Sequence, residues 1–253
     1  MKLIFLGTGT STGVPEVGCT CPTCSSKDPR DKRLRTSAMI VVDGKQLLID
    51  CGPDFREQML RNKVDHVDAV LITHDHYDHV GGIDDLRPFG RKTDVKIYAE
   101  AYVQKSIHRC LPYAFSEKAS TYVPHLELKE ISAEPFSAAG IPITPIRVMH
   151  YCLPILGYRV GDLAYLTDVK TIPESEFEKL RGVKTLVIDS LRETPHISHL
   201  SIAEAIAYSE RIAPQETYLI HMGHQIGRHE DIEKTLPPHV HFAYDGLVLE
   251  LES

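Results

Sequence analysis

The segment Thr73–Gly82, with the sequence THDHYDHVGG, directly follows the apolar run Ala69–Ile72, AVLI. A short apolar run of this kind predicts a strand that is buried on both faces of a sheet. His74 and His76 are two residues apart, so an extended backbone directs both imidazoles to the same side. The segment therefore predicts a chemical site on a loop that a rigid strand holds in place.

Asp78 and His79 follow where the chain must turn, so they can face a second point a few ångströms away. With His74 and His76 they place four nitrogen and oxygen donors within six residues. Such donors suit borderline metals such as zinc or manganese. The alternative is a polar surface loop with chance histidines, and the buried strand directly before the loop argues against it.

A two-metal centre needs further ligands, and the sequence offers candidates at the ends of other predicted strands. They are His150 after Ile146–Met149, Asp168 after Tyr165–Thr167, and His221 after Tyr218–Ile220. One histidine at a strand end is more often structural than a ligand. Three strand ends that supply His, Asp and His favour a shared site.

The composition excludes several classes of protein. The chain has 253 residues, of which 14 are His. Its net charge of −7 argues against a broad basic surface for nucleic acid or anionic membrane. No window approaches a membrane span, and the run Leu3–Leu6 is too short for the core of a signal peptide. We therefore expect a cytoplasmic protein, with residues 1–253 forming a single domain.

The remaining pattern alternates strands with helices, which predicts an α/β fold with sheets covered by helices. Asp43-Gly44 between two apolar runs is a strong hairpin signal, and Ser201 with Glu204 has the spacing of a capping box. Strands are predicted at Lys2–Leu6, Ala38–Val42, Gln46–Ile49, Ala69–Ile72, Val95–Ala99, Ile141–Met149, Ile155–Val160, Leu163–Leu166, Thr185–Ile188, Thr217–Ile220 and Leu247–Leu251. Helices are predicted at Phe55–Asn62, Ala101–Cys110, Glu174–Arg181 and 202–212.

The motif His-x-His-x-Asp-His at His74–His79 resembles the signature of the metallo-β-lactamase superfamily. The resemblance covers the whole chain and implies an αββα sandwich, two mixed β-sheets flanked by helices, with a two-metal site at its edge. The ligands that it implies are His74, His76 and His150 for one ion, and Asp78, His79 and His221 for the other, with Asp168 bridging both. Asp50 matches the acidic residue that supports the metal loop, and its expected role is to orient a ligand histidine by hydrogen bonding.

A second cluster, Cys19, Cys21 and Cys24, places three soft ligands within six residues. Three thiolates lack one ligand for a closed tetrahedral zinc site. The chain most resembles the PhnP-like branch, the phosphoribosyl cyclic phosphodiesterases, and that resemblance implies a structural zinc completed by His224. The alternatives are a redox trio or idle surface thiols. Isolated cysteines, expected to be small buried or neutral residues, are Cys51, Cys110 and Cys152.

His199, just before the predicted helix 202–212, is the candidate proton donor to a leaving group, and its position matches the general-acid histidine of the PhnP-like enzymes. A surface histidine at a helix start is the alternative. Asp78 is assigned to catalysis as well as to metal binding. Weaker pocket candidates are His196, Tyr77 and Tyr244, and the histidines expected in solvent are His66, His108, His125, His229, His239 and His241.

The resemblance implies a hydrolase that uses two divalent ions, Zn or Mn, and a metal-activated hydroxide against a small anionic phosphodiester. A cyclic ribose phosphate is the expected substrate class, although Ser201 stands where the PhnP-like enzyme has an aspartate. The alternatives are a thiolester or lactone hydrolase of the same superfamily, or a non-catalytic metal-binding or carrier protein. We also expect a homodimer, without an extended nucleic-acid footprint or a membrane partner.

Overall fold

The structure is a computed structural model that describes residues 1–91, 94–115 and 125–251. Its strands are β1 (Lys2–Gly7), β2 (Ser37–Val42), β3 (Lys45–Ile49), β4 (Ala69–Leu71), β5 (Val95–Ala99), β6 (Leu126–Glu130), β7 (Phe136–Ala138), β8 (Ile141–His150), β9 (Leu153–Val160), β10 (Leu163–Leu166), β11 (Thr185–Asp189), β12 (Glu216–Ile220), β13 (Val240–Phe242) and β14 (Val248–Glu250). Its α-helices are α1 (Phe55–Asn62), α2 (Tyr77–Val80), α3 (Arg87–Gly90), α4 (Ala101–Cys110), α5 (Phe177–Leu180), α6 (Ile202–Ile212) and α7 (His229–Ile232). Short 3-10 helices lie at Pro29–Asp31, Ile83–Leu86, Pro112–Phe115, Glu174–Glu176, His224–Ile226 and Glu233–Thr235.

These strands form two mixed sheets of seven strands each. The first has the order β14-β1-β2-β3-β4-β5-β6, and the second has the order β13-β12-β11-β10-β9-β8-β7. Strands β3 to β6 are parallel in the first sheet, and β10 to β13 are parallel in the second. The remaining pairs are antiparallel.

Alternation along the central strands explains why both faces of each sheet are covered. Leu71 packs in the core between the sheets, whereas its neighbour Val70 packs in the core under α1 and α4. In β10, Leu163 faces the inter-sheet core and Ala164 faces the core under α6. Because side chains in a strand alternate between faces, a continuous apolar run needs a partner layer on each side. The predicted αββα sandwich is confirmed.

Several predicted elements coincide with those in the structure, including Phe55–Asn62, Val95–Ala99, Ala101–Cys110 and Leu163–Leu166. The predicted helix Glu174–Arg181 is wrong in form, because the segment is a 3-10 turn, Glu174–Glu176, followed by the single turn of α5. Sequence reasoning also missed the strands β6, β7 and β13 and the one-turn helices. In the described parts of the chain, no helix is long and apolar enough to cross a membrane.

The parallel strands determine where the chemistry lies. Their carboxyl ends carry the loops that begin at residues 50, 72, 167, 190 and 221, and both sheets contribute to the same edge of the sandwich. Loops at the carboxyl ends of parallel strands are the usual place for binding residues in open α/β sheets. The tyrosine hydroxyl of Tyr158 in β9 donates to the carbonyl of Ile72 at 2.5 Å, so the two sheets are joined directly behind the histidine-rich loop. That all of residues 1–253 form one domain stays a prediction.

Candidate metal centre and active site

Three strand-end residues at this edge adopt a left-handed backbone conformation. The φ angles are 60° at Asp50, 55° at Asp168 and 59° at His221. Non-glycine residues in this region are uncommon, and each costs of order 1–3 kcal/mol unless the surroundings fix it. Such residues concentrate at functional sites, and here the turn directs each polar side chain back across the strand ends.

Asp50 is fully buried and holds the histidine-rich loop by four hydrogen bonds. Its carboxylate accepts from the backbone N–H of Thr73 at 2.8 Å and from the Thr73 hydroxyl at 3.1 and 2.9 Å. It also accepts from Nδ1 of His79 at 2.7 Å. With the proton on Nδ1, the Nε2 atom of His79 keeps a free lone pair that faces the site.

Two glycines allow the loop to approach this anchor. A Cβ atom at Gly52 would lie 2.0 Å from the carbonyl oxygen of Asp78, and one at Gly82 would lie 2.0 Å from the carbonyl oxygen of Gly52. The close backbones are joined by hydrogen bonds from Cys51 N to the His79 carbonyl at 2.8 Å and from Gly82 N to the Cys51 carbonyl at 2.9 Å. Any side chain at these glycines would push the loop away from Asp50.

Imidazole nitrogens and carboxylate oxygens converge on one point between the two sheets. Oδ1 of Asp168 lies 3.2 Å from Nε2 of His79 and 3.4 Å from Nε2 of His221. Oδ2 of Asp78 lies 3.3 and 3.6 Å from the same two nitrogens. All four residues are buried, so these donor atoms lie together out of contact with bulk water.

A second group of donors lies on the other side of Asp168. Nε2 of His74 is 3.9 Å from Oδ2 of Asp168, and His76 contributes a further ligand atom within 4.8 Å of both. The ring of His150 lies 5.1 Å from that of His76, and its Nδ1 donates to the carbonyl of Ser198 at 3.0 Å. All seven residues predicted for the two-metal site are therefore brought together, with Asp168 in the middle.

The buried nitrogens of this site lack protein partners. The Nε2 atoms of His74, His79 and His221 have no hydrogen-bond partner among the residues that the structure describes. Burying an unsatisfied polar atom costs about 1–3 kcal/mol, so three such atoms around the carboxylate of Asp168 need a ligand that is not protein. Imidazole nitrogens beside carboxylates are the donor set of a divalent cation, and these residues fit one.

The charges around the site favour a cation. Burial disfavours the imidazolium at His79, yet the carboxylates of Asp168, Asp50 and Asp78 raise its pKa well above the usual range. Burial also lowers the pKa of His74 well below its usual value, so this ring is in the neutral form that binds metals. Negative charge thus surrounds the buried rings, and a cation at this point would compensate it.

His199 lies at the edge of the same site. Its ring stacks on that of His221, with the ring centroids 4.8 Å apart, and lies 4.7 Å from that of His150. Burial disfavours its charged form, but the carboxylate of Asp189 outweighs this effect and raises the pKa of His199 to about 9. The protonated ring is thus the form that faces the site at neutral pH.

The loop before α6 is fixed from two sides. Ser201 caps α6, because its hydroxyl accepts from the Glu204 N–H while the Glu204 carboxylate accepts from the Ser201 N–H. Nζ of Lys170 donates to Glu204 at 2.7 Å and to the carbonyl of His199 at 3.3 Å. The capping box predicted from the sequence therefore also holds the backbone of His199.

Sequence reasoning missed Asp189, which ends β11 and is fully buried. Its carboxylate lies 3.3 Å from Nδ1 of His199 and 3.5 Å from Nδ1 of His221, and it accepts from the Leu200 N–H at 2.9 Å. The sequence does contain a signal for Asp189, because this aspartate comes at the end of the apolar run of β11, just as Asp168 comes after the apolar run of β10. His229 is a further correction, because it is buried against Arg33 rather than solvated.

The cysteine cluster forms a second, separate group of donors. Sγ of Cys19 lies 3.1 Å from Nδ1 of His224, and Sγ of Cys21 lies 3.5 Å from it. With Cys24, these ligand atoms all lie within 4.8 Å of one another. The Cys24 N–H donates to Cys21 Sγ at 3.4 Å and lowers the pKa of Cys21 to about 6, so that this sulfur is readily a thiolate.

The segment after β12 links the two groups. His221 and His224 are three residues apart, and Met222 and Gly223 between them are paired with the backbone of Thr8 and Leu191. His221 thus faces the inner site while His224 faces the cysteines. The isolated thiols differ from one another, since Cys51 is buried whereas Cys110 and Cys152 are exposed.

Comparison with known proteins identifies the family. Residues 45–222 match the β-lactamase superfamily domain. The chain belongs to the β-lactamase superfamily. This superfamily typically binds divalent metals. The matched region contains all seven residues predicted for the two-metal site, which are His74, His76, Asp78, His79, His150, Asp168 and His221.

A crystal structure described as a new diphosphatase from the PhnP family superposes on the chain with a TM-score of 0.93. It is 39% identical and the match covers 99% of this chain and 98% of that one. Zinc-bound PqqB from Methylobacterium extorquens has a TM-score of 0.83 at 20% identity, over 99% of this chain and 100% of that one, which shows the shared fold. The predicted resemblance to the superfamily and its PhnP-like branch is confirmed.

One curated relative is about twice as long as this chain and is named for a transferase, not for a hydrolase. An octanoyltransferase from Porphyromonas gingivalis is 47% identical over 250 residues, which are 98% of this chain and 51% of that protein. The chain thus spans about half the length of this curated relative. The name describes the longer protein as a whole.

Proposed function

We propose that this chain is a metal-dependent hydrolase of small phosphodiesters, with a cyclic ribose phosphate as the substrate class. The observation that carries the proposal is the convergence of three unpartnered, buried imidazole nitrogens on the carboxylates of Asp78 and Asp168. A purely structural cluster would satisfy these nitrogens with protein hydrogen bonds.

In this proposal two divalent ions, Zn or Mn, occupy the site. The proposed ligands are His74, His76 and His150 for one ion and Asp78, His79 and His221 for the other, with Asp168 between them. When bound, two divalent cations supply Lewis acidity and make water a nucleophile at neutral pH. Two such ions carry +4 against −2 from the two aspartates, so the pocket attracts an anionic substrate.

Two side chains of the protein are proposed to act in catalysis together with the ions. Asp78 is proposed to act in catalysis as well as in metal binding, because its carboxylate lies in the buried centre of the site. His199 is the proposed donor of a proton to the leaving oxygen, since the adjacent carboxylate of Asp189 favours its protonated form. Asp189 accepts from Nδ1 of His199 and so holds the ring in the orientation that this transfer needs.

The cysteine cluster has a separate proposed role. Cys19, Cys21, Cys24 and His224 supply the four donors of a closed tetrahedral site, which is typical of structural zinc. An ion there would tie the irregular segment 14–36 to the segment that follows β12. We therefore propose one structural Zn in addition to the two ions of the active site.

The similarity to a PhnP-family diphosphatase supports hydrolysis at phosphorus, since both proposed and named reactions break a bond between phosphorus and oxygen. The relative named octanoyltransferase favours a second candidate, hydrolysis of a thiolester or lactone, although only half of that protein aligns with this chain. A non-catalytic carrier is the third candidate, and the complete set of seven donors argues against it.

The net charge of −7 supports a small phosphodiester substrate, without an extended nucleic-acid surface or a membrane partner. We also propose that the protein is cytoplasmic and, like its relatives, a homodimer. Sedimentation of the purified protein tests the dimer independently of activity.

A substrate panel tests the proposed function. Metal-loaded protein is assayed with bis-p-nitrophenyl phosphate, a 2′,3′-cyclic nucleotide, a thiolester and a lactone. We expect turnover of the first two substrates and a loss of that turnover on chelation. Turnover of the thiolester or lactone alone would overturn the proposal in favour of the second candidate.

A further inference from the structure

Two tyrosine side chains stand exposed directly beside the proposed metal ligands. Tyr77, between His76 and Asp78, is 70% exposed, and Tyr151, next to His150, is 59% exposed. Ile197, two residues before His199, is also exposed. Leaving a large apolar side chain in water costs free energy, and three of the seven large hydrophobic residues that are exposed in the described part of the chain lie next to residues of this site.

The residues next to these three in the sequence lie close together in the structure. The rings of His76 and His150, which precede the two tyrosines, have centroids 5.1 Å apart. The ring of His150 lies 4.7 Å from that of His199, and its Nδ1 donates to the carbonyl of Ser198, the residue after Ile197. Tyr77, Tyr151 and Ile197 are therefore attached to three neighbouring points around the mouth of the site, and we call them the rim.

Tyr151 occupies a backbone position that disfavours it. With Cys152 it forms the two-residue turn between the paired residues His150 and Leu153, and its φ angle is 54°. The first position of such a turn usually holds glycine or asparagine, and a bulky residue there is strained. The turn itself gains nothing from tyrosine, so the strain points to a use for the exposed ring.

Tyr77 makes a close contact with the backbone of the histidine-rich loop. A Cβ atom at Gly81 would lie 2.8 Å from the Cε2 and Cζ atoms of Tyr77, so the ring rests against the glycine backbone. Gly81 follows the short helix α2, whose Asp78 and His79 are buried in the site. The ring is thus fixed on its inner side and left open to solvent over most of its surface.

We propose that Tyr77 and Tyr151 determine substrate specificity by stacking on a planar heteroaromatic ring, a nucleobase, carried by the phosphodiester. This inference rests on the proposed function and narrows it from cyclic ribose phosphates to cyclic nucleotides. The ions and His199 act at phosphorus, whereas the rim binds the part of the substrate that extends out of the site. Ile197 supplies an apolar edge for the same ring. Stacking accepts every base, because every base has a flat face.

A matched pair of substrates tests the rim. One is 2′,3′-cyclic AMP, and the other is the methyl riboside 2′,3′-cyclic phosphate, which has the same phosphodiester and no base. We expect kcat/KM to favour the nucleotide, and alanine at Tyr77 or Tyr151 to reduce this preference by about five-fold or more. Tyr151→Phe keeps the ring and should keep the preference. The measured quantity is the ratio of kcat/KM for the nucleotide to kcat/KM for the methyl riboside. A general disturbance of the site would lower both values and leave this ratio unchanged.

Two further variants separate recognition from structure. Tyr113 is exposed on the 3-10 helix Pro112–Phe115, where its ring lies 5.5 Å from the guanidinium of Arg87, and Tyr113→Ala should leave the preference unchanged. Tyr151→Gly relieves the strain at φ 54°, so it should be more stable than Tyr151→Ala while losing the preference equally. Loss of stability in Tyr151→Gly relative to Tyr151→Ala would overturn the argument from strain.

Equilibrium binding distinguishes failure of the rim from failure of the proposed function. Calorimetry compares AMP with ribose 5-phosphate, and we expect AMP to bind more tightly to the wild type and the difference to shrink in both alanine variants. A binding preference without hydrolysis would contradict the proposed function and leave the rim supported. Hydrolysis of both substrates at equal efficiency, with no preference in binding, would overturn the rim. Dissociation of a dimer by Tyr77→Ala with an unchanged ratio would assign the rim to subunit contact and also overturn it.

Discussion

Nδ1 of His199 lies 3.3 Å from the carboxylate oxygen Oδ1 of Asp189, the last residue of β11. The same oxygen lies 3.5 Å from Nδ1 of His221. One fully buried carboxylate therefore faces both the proposed proton donor and a proposed metal ligand. It is hydrogen-bonded to His199, and the two rings stack with their centroids 4.8 Å apart and their planes 15° from parallel.

Asp189→Asn should lower kcat by at least about ten-fold, because the amide no longer stabilises the protonated form of His199. Steady-state kinetics on a phosphodiester measure this loss. In the double variant with His199→Ala, the aspartate change should cost little more, since both residues serve one proton transfer. Full additivity of the two losses would contradict the role given to Asp189, and metal analysis of the single variant shows whether His221 is disturbed as well.

His199→Ala should retain the metal content of the wild type while losing about 100-fold in kcat, the usual magnitude for an acid–base group. Its ring contacts His150 and His221 but is not among the proposed ligands. Elemental analysis and steady-state kinetics on the same preparation check both halves of this expectation. Undiminished turnover would remove the role of proton donor from His199.

Cys21→Ala should lose one zinc per chain and lower the free energy of unfolding by about 2 kcal/mol or more, because a tetrahedral site cannot close with three ligands. Cys110, exposed at the end of α4, provides the matched control, and Cys110→Ala should keep the metal and the stability of the wild type. Metal analysis and urea unfolding measure the two effects. An unchanged zinc content in Cys21→Ala would contradict the structural site.

The central strands could be predicted from the sequence because they follow local patterns, and the structure brings the candidate ligands together, whose metal binding stays a proposal. In a strand such as Val95–Ala99 every second residue is buried, which leaves a period of two within a few residues, and the motif His74–His79 supplies its donors on one loop. The edge strand β6, with the sequence LELKE, is half polar and gains its conformation from pairing with β5 over a long separation in sequence. Pairing of this kind leaves only a weak local signal.

Residues that act through distant contacts were harder to predict. Asp189 has the strand-end position that marked Asp168, yet its partners His199 and His221 are brought to it by the order of the strands in the second sheet. His229 is buried because its ring meets the side chain of Arg33 from the segment before β2. Neither contact is visible in the local sequence, since it depends on the tertiary arrangement.

His229 makes stability sensitive to acid. Burial, with the charges of Arg33 and Arg30, lowers its pKa from an ordinary 6.5 to about 4, against the opposing charges of Asp28 and Asp31. The unfolded chain therefore takes up a proton first, so the stabilisation is complete above pH 6.5 and is lost as the pH falls towards 4. The difference between the pKa values of the unfolded and folded states corresponds to about 3 kcal/mol of the free energy of unfolding.

His229→Gln should remove this dependence, because glutamine does not titrate in this range. Urea unfolding of both proteins between pH 7 and pH 5, in the presence of a chelator so that metal release does not contribute, measures the slope. We expect the free energy of unfolding to fall less steeply in the variant. Equal slopes in the two proteins would show that His229 is not the group responsible.

The rate of phosphodiester hydrolysis during removal and return of metal tests the central claim most directly. The wild type and Asp168→Asn are stripped with a chelator, dialysed and then titrated with Zn or Mn, and turnover of a 2′,3′-cyclic nucleotide is followed. We expect the stripped wild type to be inactive and to recover with added metal, and Asp168→Asn to remain inactive at every metal concentration, because its amide no longer supplies the negative charge between the two proposed ions. Full activity in the stripped wild type, or equal recovery in the variant, would contradict the account.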